Sequence, residues 1–131
     1  MTDNQTTITY FEQKLRFEAE MSLVEKVSGG SESGYFILDV RSSEAFNKGH
    51  IPTAFNIPRA ELVDRLDELP KDKTIITYCY HAYCLASAKA ALELAKNGFK
   101  VMEMPGGFDE WEKRERPVHK HGAEHGIACE C

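Results

Sequence analysis

Residues 74–85 read Thr-Ile-Ile-Thr-Tyr-Cys-Tyr-His-Ala-Tyr-Cys-Leu, and Ala-Ser-Ala-Lys-Ala-Ala follows at 86–91. Thr74 to Tyr78 is short, apolar and β-branched or aromatic, the composition of a strand buried on both faces. Leu85 to Asn97 is rich in alanine and leucine and closes on Gly98, which predicts a helix with a glycine stop. Cys79 therefore stands at the junction where a buried strand hands over to a helix. In open parallel sheets ligands bind off the carboxyl ends of the strands, so this junction is the first place to look for chemistry.

The pattern repeats on either side. Tyr35 to Val40 (Tyr-Phe-Ile-Leu-Asp-Val) predicts a second buried strand, and Ser42 is placed to cap a short helix reaching Asn47, with Glu44 in its first turn. Gly49 and Pro52 mark a turn before a brief strand at Ala54-Phe55-Asn56. Pro58 and Pro70 bracket a helix over Ala60–Leu69. Val101 to Met104 predicts a last strand, and Pro105-Gly106-Gly107 turns into a short helix carrying Trp111. Upstream, Thr9 to about Ser28 predicts one amphipathic helix, with Phe17, Met21 and Val24 on a common face. Strands alternate with helices throughout, which gives an α/β class with a largely parallel sheet. The expected organisation is a flexible N-terminus over 1–8, one domain over 9–117, and a separate tail over 118–131.

Composition bounds the function. The 131 residues contain 42% hydrophobic and 28% charged side chains, the balance of a folded globular chain. The net charge of −5 argues against nucleic acid as a partner. No apolar run reaches the roughly 20 residues of a membrane span, and the first residues lack a signal-peptide pattern. The cytoplasm is the expected location. The four cysteines stand at 79, 84, 129 and 131, a clustering that suits reduced thiols better than a disulfide scaffold.

The loop Tyr80-His81-Ala82-Tyr83-Cys84-Leu85 would turn backbone N–H groups toward an anion, helped by the N-terminal end of the following helix. That anion can be a Cys79 thiolate of lowered pKa, a persulfide, or a bound oxyanion. Cys84 has two open readings: a resolving thiol for Cys79, or a small apolar residue at the helix start. His81 would lower the Cys79 pKa or stand exposed without a role, and Tyr80 and Tyr83 would rim the pocket or simply pack. Asp39 and Arg41, at the end of a neighbouring strand, are expected to support the site mainly by pairing and loop anchoring. His50 reads as a turn histidine and Trp111 as core. In the tail, His119, His121, His125, Cys129 and Cys131 offer imidazole and thiolate ligands, but their spacing is not that of a standard zinc site and no metal is assigned.

Over roughly residues 20–118 the chain resembles a single-domain rhodanese, a sulfurtransferase. The resemblance is carried by Leu38-Asp39-Val40-Arg41, Glu44-Ala45-Phe46, Gly49-His50-Ile51-Pro52-Thr53-Ala54-Phe55-Asn56-Ile57-Pro58, Tyr78-Cys79, Ala88-Lys89-Ala90-Ala91, Gly98-Phe99 and Gly106-Gly107-Phe108 with Trp111. It implies a three-layer fold with a mostly parallel sheet of four to five strands between helices. It also implies a persulfide on the loop cysteine, here Cys79, a small sulfur donor, a thiol or protein acceptor, and no organic cofactor. The loop departs from the family's Cys-x-x-Gly-x-Arg: Ala82 and Cys84 occupy the glycine and arginine offsets, and the loop is about two residues longer. A Cys-x5-Arg phosphatase loop is excluded, because Leu85 stands six residues after Cys79 and no arginine occurs between Arg65 and Arg114. The alternative to an enzyme is a non-catalytic redox sensor or binding module using Cys79 and Cys84.

Overall fold

The computed structural model describes residues 3–120. Its elements run α1 (Asp3–Phe17), α2 (Met21–Ser28), β1 (Tyr35–Asp39), α3 (Ser43–Lys48), β2 (Phe55–Asn56), β3 (Thr74–Tyr78), α4 (Ala86–Lys96), β4 (Lys100–Glu103) and α5 (Gly107–Lys113), with two 3₁₀ turns at Arg59–Glu61 and Val63–Glu68. The four strands are all parallel, in the order β2-β1-β3-β4. The chain first steps from β1 to β2 on one side, then crosses back to place β3 on the other side of β1. The order reverses between β1 and β3, so their carboxyl ends open a crevice, and Asp39 and Cys79 stand at its two lips.

Strand alternation sorts the side chains into two cores. Ile37, Ile76 and Tyr78 face α2 and α5, joined by Val24, Met104, Phe108 and Trp111. Leu38, Ile75 and Cys79 face α4 and the 3₁₀ turns, joined by Leu62, Leu69, Ala90 and Leu94. The sheet is thus buried on both faces, as the apolar runs at 35–40 and 74–78 require. Local signals hold where they were specific. Ser42 accepts a hydrogen bond from the Ala45 N–H at 3.1 Å, capping α3, and the Gly98 stop adopts φ +87°.

Four expectations are corrected. The N-terminal helix begins at Asp3, not Thr9, so residues 3–8 are helical. It also breaks at Glu18–Glu20, where the Ala19 N–H donates to the Glu103 carbonyl at 2.8 Å and Ala19 is buried. Pairing with the open edge of β4 outweighs continuation of the helical period there, because an unpaired edge leaves backbone groups unsatisfied. The segment 60–69 forms two 3₁₀ turns rather than one helix, broken at Arg65 with φ −126°. Its leucines need only reach the sheet at Leu62 and Leu69, both buried. Finally, pairing extends past 117: the His50 and His119 N–H groups donate to each other's carbonyls at 2.9 and 2.8 Å. His121, His125, Cys129 and Cys131 lie outside the described residues; among those described, no cluster of metal-ligating side chains occurs.

Candidate active site

The floor of the crevice is a buried polar network built from β1. Asp39 is fully buried and Arg41 only 4% exposed. The Arg41 Nε and Nη2 grip both Asp39 oxygens at 2.7–3.1 Å, its backbone N–H adds 2.9 Å to Oδ1, and its Nη2 also donates to the Gly49 carbonyl at 2.7 Å. In-register pairing of Asp39 with Tyr78 brings the tyrosine hydroxyl to 2.6 Å from Asp39 Oδ2, and that hydroxyl accepts from the Ile51 N–H. Burial lowers the Arg41 pKa, but the Asp39 hydrogen bonds and charge outweigh it and raise the pKa overall. Burial and the adjacent Asp39 carboxylate push Tyr78 well above its usual value. Arg41 also lies 4.3 Å from the Phe108 ring centroid. With Nε and Nη2 committed to Asp39 and Gly49, Arg41 serves as an anchor of the turn at 49–51. His50 is likewise satisfied: its Nδ1 lies 2.8 Å from the Phe46 carbonyl and its ring stacks on Phe46 at 3.6 Å.

Above this floor runs the cysteine loop, held from behind by α5. The N–H groups of Phe108 and Asp109 donate to the carbonyls of Cys79 and Tyr80, both at 2.8 Å. A trans peptide sends its C=O and N–H in opposite directions, so these bonds turn the N–H groups of Tyr80 and His81 away from α5. The close approach requires a glycine. A Cβ on Gly107, whose φ is +67°, would meet the His81 nitrogen and Tyr80 carbonyl carbon at 2.7 Å and the Cys79 oxygen at 2.8 Å. Gly107→Ala is therefore expected to cost about 1–2 kcal/mol from the left-handed backbone alone, with loop displacement in addition. A thermal melt would register it; an unchanged melt would refute this role.

Cys79 is only 2% exposed. Its sulfur lies 3.4 Å from the Cys84 carbonyl and 3.4 Å from the Ser87 hydroxyl, which itself donates to Glu103 Oε2 at 2.7 Å. Burial raises the Cys79 pKa, and the favourable contacts with Ser87 only partly oppose it. Of the open readings, a Cys79 thiolate of lowered pKa is the one this environment disfavours, while the half-buried Cys84 is shifted down. Burial works against its thiolate but is outweighed by the hydrogen bond from Cys79, the N–H groups of Ala86 and Tyr80, and the charge of Lys89. The first N–H groups of α4 are shared between the sulfurs, Ala86 toward Cys84 and Ser87 toward Cys79. This is the anion-favouring end of a helix.

The expected nest of loop amides is only partly realised. Tyr83 N–H bonds to His81 Nδ1 and Cys84 N–H to the His81 carbonyl, so both are spent inside the loop. Tyr80 is tied through its hydroxyl to the capping residue Ser42, whereas Tyr83 is 91% exposed. Tyr80, His81, Ala82 and Tyr83 line a cleft of about 700 Å³ together with Arg41 and Phe108. Leu85 and Cys84 line a smaller one of about 190 Å³ on the side of Glu103. Ser87 and Glu103 were not singled out from sequence, and Gly107 entered only as part of the Gly106-Gly107-Phe108 motif, with no contact to the loop foreseen. The position of Glu103 at the carboxyl end of a strand and of Ser87 in the first turn after the loop were the available signals.

The comparisons with known proteins agree with this geometry. The Rhodanese-like domain model matches residues 22–114. A thiosulfate sulfurtransferase GlpE of Shewanella oneidensis is 36% identical over 76 residues, covering 57% of this chain and 73% of that protein. The HTH-type transcriptional regulator Rv0324 of Mycobacterium tuberculosis is 43% identical over 82 residues, 63% of this chain. The match spans only 36% of that regulator's length. The crystal structure of the BH2092 protein from Bacillus halodurans superposes with a TM-score of 0.80 at 35% identity, over 90% of this chain and 87% of that one. With sheet order, crevice and family motif in agreement, the chain belongs to the rhodanese-like domain family.

Proposed function

We propose that the chain is a sulfurtransferase that carries sulfane sulfur as a persulfide on Cys79. The observation that carries this reading is the placement of Cys79 at the end of β3, beside the sheet's order reversal, with the Ser87 hydroxyl of α4 3.4 Å from its sulfur. The family match and the sulfurtransferase relatives support it. A donor's outer sulfur forms a new S–S bond to the enzyme as the donor's own S–S bond breaks and its thiolate leaves with the electron pair. A small thiol or protein acceptor then takes that outer sulfur and returns the cysteine. The residues of the loop, Tyr80 to Leu85, receive the donor, and Asp39 and Arg41 hold the floor beneath it. No nucleic acid or membrane partner enters this reading, and no helix among the described residues is long and apolar enough to cross a membrane.

The donor is an organic persulfide rather than thiosulfate. The loop carries no arginine, Arg41 is paired with Asp39, and carboxylates edge both clefts, Asp109, Glu110 and Glu112 outnumbering Lys113 on the larger and Glu18 and Glu103 lining the smaller. A dianion meets net repulsion there. Reduced protein incubated with glutathione persulfide is expected to gain one sulfur that maps to Cys79 once the donor is removed. The same protein with thiosulfate is expected to load at least tenfold more slowly. Failure of both donors to add sulfur to any cysteine would sink the sulfurtransferase reading. The closeness of the two free cysteines, the Cys79 sulfur lying 3.4 Å from the Cys84 carbonyl, favours one alternative, a redox module. Its mark would be a two-proton mass loss on peroxide treatment that requires both Cys79 and Cys84, with no sulfur uptake.

A further inference from the structure

Persulfide storage on Cys79 leaves a question of access. Cys79 is 2% exposed and is absent from the linings of both clefts at the loop, whereas Cys84 is half-buried and lines the smaller one with His81, Leu85 and Glu103. A donor arriving through that cleft meets Cys84 first. Cys84 is also the better prepared nucleophile. The Tyr80 N–H is turned inward because Phe108 holds the Cys79 carbonyl on the other side of the same peptide, and it joins the Ala86 N–H at the Cys84 sulfur. The two residues are in contact, the Cys79 sulfur lying 3.4 Å from the Cys84 carbonyl. Cys84 stands at the offset where the related loops carry arginine, so a second thiol replaces a fixed positive charge at the mouth of the site.

We propose that Cys84 is the loading thiol, taking sulfane sulfur from the donor at the cleft and passing it inward to Cys79. The proposal rests on the sulfurtransferase reading above and adds the order of events. The Cys84 thiolate attacks the outer sulfur of an organic persulfide. The Cys84–sulfur bond forms, the donor's S–S bond breaks, and the donor thiolate leaves with the electron pair. The Cys79 sulfur then attacks the outer sulfur now on Cys84. The new bond to Cys79 forms, the bond to Cys84 breaks, and the Cys79 proton goes to the departing Cys84 sulfur. Charge and electrons balance without an oxidant or reductant, since each step is an exchange at sulfur. Cys79 then keeps its cargo away from thiols in solution, and Cys84 is free for the reverse exchange with an acceptor.

The test is a time course of sulfur uptake from glutathione persulfide. The reaction is quenched by alkylation, and the alkylated persulfide is located by peptide mapping in wild type, Cys84→Ser and Cys79→Ser. Wild type is expected to show sulfur on Cys84 first and on Cys79 later. Cys79→Ser is expected to load Cys84 transiently, and Cys84→Ser to load Cys79 at least tenfold more slowly than wild type. Thermal melts establish that each variant is folded; should Cys84→Ser unfold, Cys84→Ala is read in its place. Loading of Cys79 at the wild-type rate in the folded Cys84 variant overturns the relay while leaving the sulfurtransferase reading intact. So does a Cys79→Ser protein that never takes sulfur on Cys84. Wild type that takes no sulfur at all overturns both.

Discussion

Replacing Asp39 by alanine is expected to destabilise the domain by about 3–5 kcal/mol, the cost of leaving a buried cation unpaired. Asp39 accepts from the Arg41 backbone N–H, from Arg41 Nε and Nη2 and from the Tyr78 hydroxyl, and is itself fully buried. Without the carboxylate, the Arg41 guanidinium keeps its charge and only the Gly49 carbonyl remains among its protein acceptors. Total stability of a domain this size is typically 5–15 kcal/mol, so the loss is a large share of it. A fall in Tm of roughly 10–25 °C is the expected reading in a thermal melt. Asp39→Asn keeps an acceptor for the Tyr78 hydroxyl and is expected to lose less. A loss under about 1 kcal/mol in Asp39→Ala, on the scale of an exposed ion pair, would show that the network is not closed to water. The same experiment separates anchoring from chemistry, because Arg41 approaches neither sulfur among the described contacts.

Cys79→Ser is expected to abolish retained persulfide completely. Any sulfur taken up by this variant resides on the more exposed Cys84 and is lost when a low-molecular-weight thiol is added. Wild type gives its sulfur up to the same thiol at least tenfold more slowly, because Cys79 is buried. The pH dependence follows from burial. With its pKa raised by burial, Cys79 reaches its full rate with a small alkylating reagent at a higher pH than an ordinary thiol. Cys84, lowered, reaches its full rate at lower pH. Alkylation followed by mass at each cysteine over pH 6–10 reads both curves. Cys79 titrating below Cys84 would contradict the arrangement of hydrogen bonds at the loop.

Much of this site was legible before any coordinates. The alternation of strands and helices, the Ser42 cap, the Gly98 stop and the position of Cys79 at the end of a buried strand all follow from local pattern. Apolar periodicity and backbone propensity act within a few residues, and they leave a direct trace in the chain. The assignment of Asp39 and Arg41 to anchoring also fits, since two opposite charges two residues apart at the end of a buried strand must satisfy each other. The N-terminal helix shows where local pattern fails. Its period runs on through Glu18–Glu20, and only the open edge of β4, more than eighty residues away, interrupts it.

The division between the two thiols has the same origin. Sequence determined that the class is α/β, that the crevice opens at the end of β3, and that two cysteines flank the loop there. It also determined that the family's arginine is absent. Which sulfur is exposed and which is acidified was decided by the tertiary structure alone. Gly107 brings the backbone of α5 against the loop, Phe108 and Asp109 turn its peptides, and Ser87 and Glu103 close over Cys79 from α4 and β4. Burial and hydrogen bonding set a thiol's pKa, and both come here from segments up to about thirty residues away, brought together by strand order and register, quantities that no local run of residues encodes.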